Sequence, residues 1–251
     1  MYKVAIDPGH APGNANRGPN GYREYAGMWK LSIFLKEYLA KEGITAILTR
    51  RESENPSLWA RGNKAHGANL FISQHTNGFN GKVRGVECFY STFLPETQKT
   101  AAKLSKAVSA LMGNPDRGAK VKTTANGQDY FGVIRSAAAA GCPMVFLMES
   151  GFHDNPEDEA FLLKSQNLIK IAEAQAKVII NALESQGKEE TLTTQLACEI
   201  ADQEARPSGW AATAWKWGKE NGITDGTNPR NSITREQVIQ LLFNYNRLKE
   251  G

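Results

Sequence analysis

The sequence has little cysteine. Its 251 residues hold three, Cys88, Cys142 and Cys198. The number is odd and no Cys-x-x-Cys pair occurs, which argues against a disulfide framework and against a cysteine zinc site. Three reduced, mostly buried thiols are expected instead. Long apolar runs are missing too. Nothing approaches the ~20 residues that cross a bilayer, so no membrane span is expected. Met1 is not followed by a basic segment, an apolar run and a small-residue cleavage site, so no secretory leader is read. The expectation is a protein held in the cytoplasm until it is released. A strong excess of one charge is also absent. Residues 1–187 carry 22 Lys and Arg against 17 Asp and Glu; residues 188–251 carry 8 against 9. That balance is far from the basic excess of a nucleic-acid binder. The mildly basic longer part suits a polyanionic surface.

What is present gathers around three apolar stretches. Tyr2 to Ile6 reads as a strand running into Asp7-Pro8-Gly9, a turn because Pro fixes one φ and Gly frees the next. His10 follows it. Leu70 to Gln74 is a second strand, with His75 at its end, and Pro143 to Met148 is a buried strand ending in Glu149. In open α/β sheets, ligands collect at the carboxyl ends of strands.

Between these stretches the chain alternates helices and strands. A Gly-, Asn- and Pro-rich loop covers residues 11–21, too long to be a mere connection. Periodic Trp29, Ile33 and Phe34 then predict a helix from about Tyr25 to Glu42, ended by Gly43, with Glu24 at its start. Ile44–Leu48 predicts a strand, Ser57 precedes a helix ending near His66, and Gly85–Tyr90 alternates as a strand. Glu96–Leu111 reads as an amphipathic helix. Arg117, Lys120 and Lys122 form a basic cluster, either a solvated loop or a contact for an acidic substrate. Asn155 and Pro156 have the chemistry of an N-cap and first helical position. The helical pattern they open runs, with a break near Ser165, to about Leu183. The fold class is therefore α/β, a mixed central sheet flanked by helices.

Two histidines and a carboxylate at three strand ends have the chemistry of a metal site. Catalytic zinc takes three His/Glu ligands and leaves one position for water. A further carboxylate near that water acts as base. His10, Glu24, His75 and Glu149 supply these parts, and spacing alone does not say which glutamate is the ligand. His66 fits a helix C-terminus better than a metal role.

Asp7-Pro8-Gly9-His10, Glu24, Ser73 to Asn77, Gly85 to Tyr90 and Met148 to Asn155 together resemble the zinc-dependent N-acetylmuramoyl-L-alanine amidases of the type-3 family. The similarity covers about residues 2–184. It implies Zn²⁺ held by His10, Glu24 and His75, with Glu149 as the catalytic residue. It also implies a peptidoglycan hydrolase that cuts the amide between N-acetylmuramic acid and L-alanine of the stem peptide. The sequence departs mildly from the family's usual text, with Ala11-Pro12 in place of a Gly pair and Thr76 after the second histidine. The other readings are a zinc hydrolase cutting elsewhere in wall peptides and a non-catalytic wall-binding protein.

A polar stretch, 185–192, is read as a linker between domains 1–184 and 193–251. Trp215 to Gly226 and Ile233 to Gln237 resemble a single S-layer homology module, with one helix through Trp210-Ala211 and Trp215–Glu220 and a capping box at Thr234 and Gln237. That resemblance implies an all-helical unit binding a secondary wall polymer; because such modules commonly occur three together and one is present, the other reading is a packing or dimerising appendage. Lytic part, binding part and missing leader together resemble phage or prophage endolysins, and equally a leaderless host enzyme of mother-cell lysis or sporulation.

Overall fold

The computed structural model describes residues 2–204, 207–209, 211–221, 236, 238–240 and 242. The chain divides into two compact units, Met1–Ser185 and Gln186–Gly251. The first is built on six strands: β1 (Lys3–Pro8), β2 (Thr45–Leu48), β3 (Leu70–Asn77), β4 (Val86–Tyr90), β5 (Asp116–Lys120) and β6 (Val145–Phe152). They lie in the order β2-β1-β3-β6-β4-β5. All neighbours are parallel except β4 and β6, which are antiparallel, so the sheet is mixed.

Strand side chains alternate between faces, and here the alternation separates two cores. Val4, Ile6, Leu70, Ile72, Val86, Cys88, Phe146 and Met148 face one core. That core is closed by α1 (Glu24–Lys41), α3 (Gln98–Met112) and the start of α6 (Ser165–Glu204). Ala5, Phe71, Phe89, Val145 and Leu147 face the other, closed by α4 (Gly132–Ala139) and the turn after α2 (Leu58–Asn63). With only six and eight residues, α2 and α4 are short. They cover this second face less completely than the long helices cover the first.

The local signals acted largely as expected. Ser57 caps α2, accepting from the Ala60 N–H, and Asn155 caps α5 (Pro156–Leu162), accepting from Glu157 and Asp158. Gly43 follows α1 at a φ of 74°. Cys88 and Cys142 are free and buried; burial pushes both thiols up, Cys142 to about 12, which leaves them unreactive.

Three expectations are corrected. The basic cluster belongs in part to β5, an edge strand too polar to announce itself. The strands carrying His75 and Glu149 continue past them to Asn77 and Phe152. Residues 185–192, expected as an irregular linker, are helical, because α6 runs unbroken to Glu204. Gln, Lys, Glu and Leu there are good helix formers and a single Gly costs only about 1 kcal/mol. A helix polar all round leaves no apolar stripe to read.

In the second unit, α7 (Ala212–Glu220) coincides with the tryptophan helix read from the sequence. Trp210, the loop at 222–226 and the capping pair Thr234 and Gln237 lie outside the described residues. Among the described residues no helix is long and apolar enough to cross a membrane.

The core of the first unit extends along α6 to Leu183. A chain ending at Ser185 is therefore expected to unfold in one cooperative transition in denaturant, followed by circular dichroism. A chain ending at Ser165 loses Leu168, Ile171, Ile179 and Leu183 from that core, and no such transition is expected.

Candidate metal centre and its cleft

The first turn is held from beneath. Asp7 is fully buried and accepts hydrogen bonds from Arg61 Nε (2.7 Å) and Nη2 (3.0 Å), from Ser73 Oγ (2.6 Å) and from Thr49 Oγ1. Arg61 also donates to the Pro8 carbonyl, as does Arg50 Nε at 3.1 Å. Ser73 and Asp7 are register partners on β3 and β1. Above this network Gly9 donates its N–H to the Gln74 carbonyl at 2.9 Å. A Cβ on Gly9 would lie 2.2 Å from that oxygen and 2.7 Å from the His75 ring, so the approach requires glycine. His10 then adopts a left-handed φ of 56°, an uncommon conformation outside glycine that clusters at functional sites.

The loop after His10 is fixed at its far end. Glu159, on α5 and fully buried, accepts from the Asn20 N–H (2.8 Å), the Asn20 side chain (2.8 Å) and the Tyr22 N–H (3.1 Å). A Cβ on Gly18 would lie 2.3 Å from Glu159 Oε1. So held, the loop delivers Glu24 as the first residue of α1, buried beneath the two histidines. Glu24 Oε2 is 3.1 Å from His10 Nε2, and Oε1 is 3.1 Å from His75 Nδ1. Asn16 donates to Oε2 at 2.7 Å and the Thr76 N–H to Oε1 at 3.0 Å. Burial opposes ionisation of Glu24, but hydrogen bonds from His10 and His75 outweigh it and hold the carboxyl well below the usual carboxylate range.

One donor atom from each of His10, Glu24 and His75 falls within a 4.8 Å span. Tetrahedral ligands at ~2.0–2.1 Å from an ion are roughly 3.3 Å apart, close to the two N···O separations here. Asn14 contacts His10 Nδ1 at 3.0 Å and orients the ring from the side away from Glu24, while Asn16 lies 3.3 Å from Nε2. The donor set therefore fits a divalent metal of the zinc type.

Glu149 is the neighbour of this set by register. On β6 it pairs with His75 of β3 on one side and with Glu87 of β4 on the other. All three project from the face that α2 and α4 cover only in part. Glu149 Oε2 is buried without a hydrogen-bond partner. Burial, then the charges of Glu24 and Glu87, push its carboxyl well above the usual range, with Lys122 opposing. A cleft of about 610 Å³ opens here, lined by His10, Glu24, His75, Glu149, His153 and Asp154, with Leu58, Phe79 and Phe131 as its apolar parts.

All four residues singled out from the sequence thus line one cleft. His66 does not; it is exposed and contacts the Ala140 carbonyl at 3.3 Å. Arg117 and Lys120 are bonded to Glu87, at 2.6 and 2.5 Å. Asn14, Asn16, Glu159 and Asp154 escaped the sequence reading. Asn residues in a loop look like turn formers. The acids after Asn155 look like dipole partners, and only the fold shows that Asp158, fully buried, accepts from Arg84, Asn114 and the Phe152 N–H while Glu159 accepts from Asn20 and Tyr22.

A three-ligand set of this type, open to a cleft and flanked by a buried carboxylate, is what metal-assisted hydrolysis requires. The chain belongs to the N-acetylmuramoyl-L-alanine amidase family, whose sequence pattern matches residues 4–181. It is 29% identical over 174 residues to an uncharacterized cell wall amidase of Bacillus anthracis, covering 62% of this chain and 30% of that protein. Among solved structures it resembles Cwp6 from Clostridium difficile, with a TM-score of 0.66 and 27% identity over 72% of this chain and 29% of the other. It also resembles the catalytic domain of CwlV, an N-acetylmuramoyl-L-alanine amidase from Paenibacillus polymyxa var. colistinus. There the TM-score is 0.64 at 24% identity, over 73% of this chain and 99% of the other. The chain spans under a third of the length of the first two relatives.

Two outcomes follow from the site. Arg61→Met leaves Asp7 as a buried charge without its cation, and a loss of about 3–5 kcal/mol in denaturant unfolding is expected. The Glu149 carboxyl, raised by burial, holds its proton to higher pH in the fold than in an unfolded chain, so metal-free protein loses stability as pH rises above the ordinary carboxylate range. Glu149→Gln should therefore raise the melting temperature of chelator-treated protein at pH 7. At pH 4, where the carboxyl is largely protonated in both states, that gain should largely vanish.

Proposed function

We propose that the chain is a zinc-dependent N-acetylmuramoyl-L-alanine amidase that hydrolyses the bond between N-acetylmuramic acid and L-alanine in peptidoglycan. The observation that carries this reading is the convergence of His10 and His75 on Glu24, with Glu149 in register beside His75. His10, Glu24 and His75 hold the metal. Bound there, zinc supplies Lewis acidity, which polarises the scissile carbonyl and makes water a nucleophile near neutral pH. Glu149 takes the proton from the attacking water and passes it to the departing L-alanine nitrogen. Its buried, unpartnered oxygen suits a base that must stay free until substrate arrives. Positive charge placed among the three ligands lowers the Glu149 pKa toward the range a base needs. The apolar Leu58, Phe79 and Phe131 of the open cleft offer surface to the sugar and lactyl carbons.

In this reading residues 1–184 are the catalytic domain, 185–192 join it to the remainder, and 193–251 form an S-layer-homology-like module that binds a secondary wall polymer. The protein acts on the cell wall after release from the cytoplasm, in the manner of an endolysin. Family membership and the paired ligand geometry support the amidase over a non-catalytic wall-binding protein.

The test measures metal and turnover on the same preparations. His10→Ala and His75→Ala should lose zinc and activity together. Glu149→Gln should keep zinc while hydrolysis of purified wall falls by about 10² or more. Full zinc occupancy in His75→Ala would remove the ligand assignment. Mass analysis of products should show stem peptides with a free L-alanine amino terminus; cuts within the stem would point to the other class of wall-peptide hydrolase.

A further inference from the structure

The basic residues at the end of β5 divide into two kinds. Arg117 and Lys120 share one carboxylate, Glu87, whose other oxygen is taken by Asn77 at 2.9 Å. One negative charge facing two cations leaves that group positive. Lys122 has no carboxylate partner among the described residues. Its Nζ lies 3.9 Å from the centre of the Tyr130 ring and 5.7 Å from that of Phe131, a residue of the cleft wall.

The sheet gives this group a place relative to the chemistry. His75, Glu149 and Glu87 are successive register partners across β3, β6 and β4, and β5 lies beyond β4. With strands ~4.8 Å apart, β5 and its cations lie two spacings, about 10 Å, from Glu149 on the side away from the metal ligands. The charge of Lys122 also acts on Glu149.

We propose that Lys122, with the Arg117–Lys120–Glu87 group behind it, is a carboxylate subsite for the stem peptide on the released side of the scissile amide. The inference rests on the amidase reading. In that substrate the muramic carboxyl is consumed in the scissile amide, so the sugar it belongs to offers no carboxylate there. The second stem residue is joined through its side chain, and its α-carboxyl projects about one residue beyond L-alanine. Two residues of extended chain span roughly 7 Å, and one charge-assisted hydrogen bond of about 2.8 Å brings that to the ~10 Å at which β5 lies. The subsite would distinguish stems whose α-carboxyl is free from stems in which it is amidated.

Two measurements on the full zinc-loaded chain test this separately. Calorimetry measures binding of free L-Ala-γ-D-Glu-L-Lys tripeptide with its glutamyl α-carboxyl free or amidated. Kinetics compares the corresponding muramoyl tripeptides. The free acid should be preferred by roughly five-fold in both, with the gap narrowing at high salt. Lys122→Met should bring the ratio near one without a change in melting temperature, and Lys122→Arg should retain the preference. Equal binding of acid and amide by the unaltered protein, or an undiminished preference in Lys122→Met, would overturn the subsite. Carboxylate-dependent binding without cleavage of either muramoyl peptide would instead overturn the amidase reading and leave the subsite standing.

Discussion

The structure depends first on a buried charge. Asp7 stands at the end of the first strand, fully enclosed, and four donor groups from β3, the segment after β2, and α2 converge on it. Taking a carboxylate and a guanidinium out of water is costly, and the pair is retained only with good geometry and full hydrogen bonding. That requirement ties three separate parts of the chain to one point. What rests on the point is the Pro8-Gly9-His10 turn, so the network that stabilises the sheet end also aims His10 into the cleft.

Sheet alternation does the rest of the positioning. Asp7 and Ser73 share a face with Ala5 and Phe71; His75, Glu149 and Glu87 continue that same face toward the strand ends. The opposite parity carries Gln74, which pairs reciprocally with Gln175 of α6 at 2.7 and 3.1 Å in the other core. A slip of one residue in β3 would exchange His75 for Gln74 and dismantle site and core together. Because α2 and α4 are short, the reactive end of the face stays open while its apolar beginning is covered.

Much of this was legible in the chain. Apolar runs ending in His or Glu announced the strands, and the Asn155-Pro156 pair announced a helix start, because these signals are local. Glu24 was ambiguous: an acid at a helix N-terminus has a sufficient local explanation, and only the convergence of His10 and His75 on it changes the reading. Strand β5 was illegible because an edge strand made of Asp, Arg, Gly, Ala and Lys has no apolar period. The helix through 185–192 was misread because its sequence, Ser-Gln-Gly-Lys-Glu-Glu-Thr-Leu, carries no apolar stripe by which helices are recognised. The roles of Asp158 and Glu159 lie in contacts far away in sequence, which no local pattern encodes.

The clamp on the loop after His10 has a consequence for the order in which the protein becomes complete during synthesis. His10, Glu24 and His75 all leave the ribosome early. The acceptor that holds Asn20 and Tyr22, and with them the approach to Glu24, is Glu159, more than 130 positions further along. Chains are made at about 5–20 residues per second, so for several seconds the three residues exist without the carboxylate that holds their loop. The His10–Glu24–His75 cluster takes its final geometry only when α5 has emerged and docked, and a chain cut short before that helix carries all three residues without the clamp that brings Glu24 to the histidines.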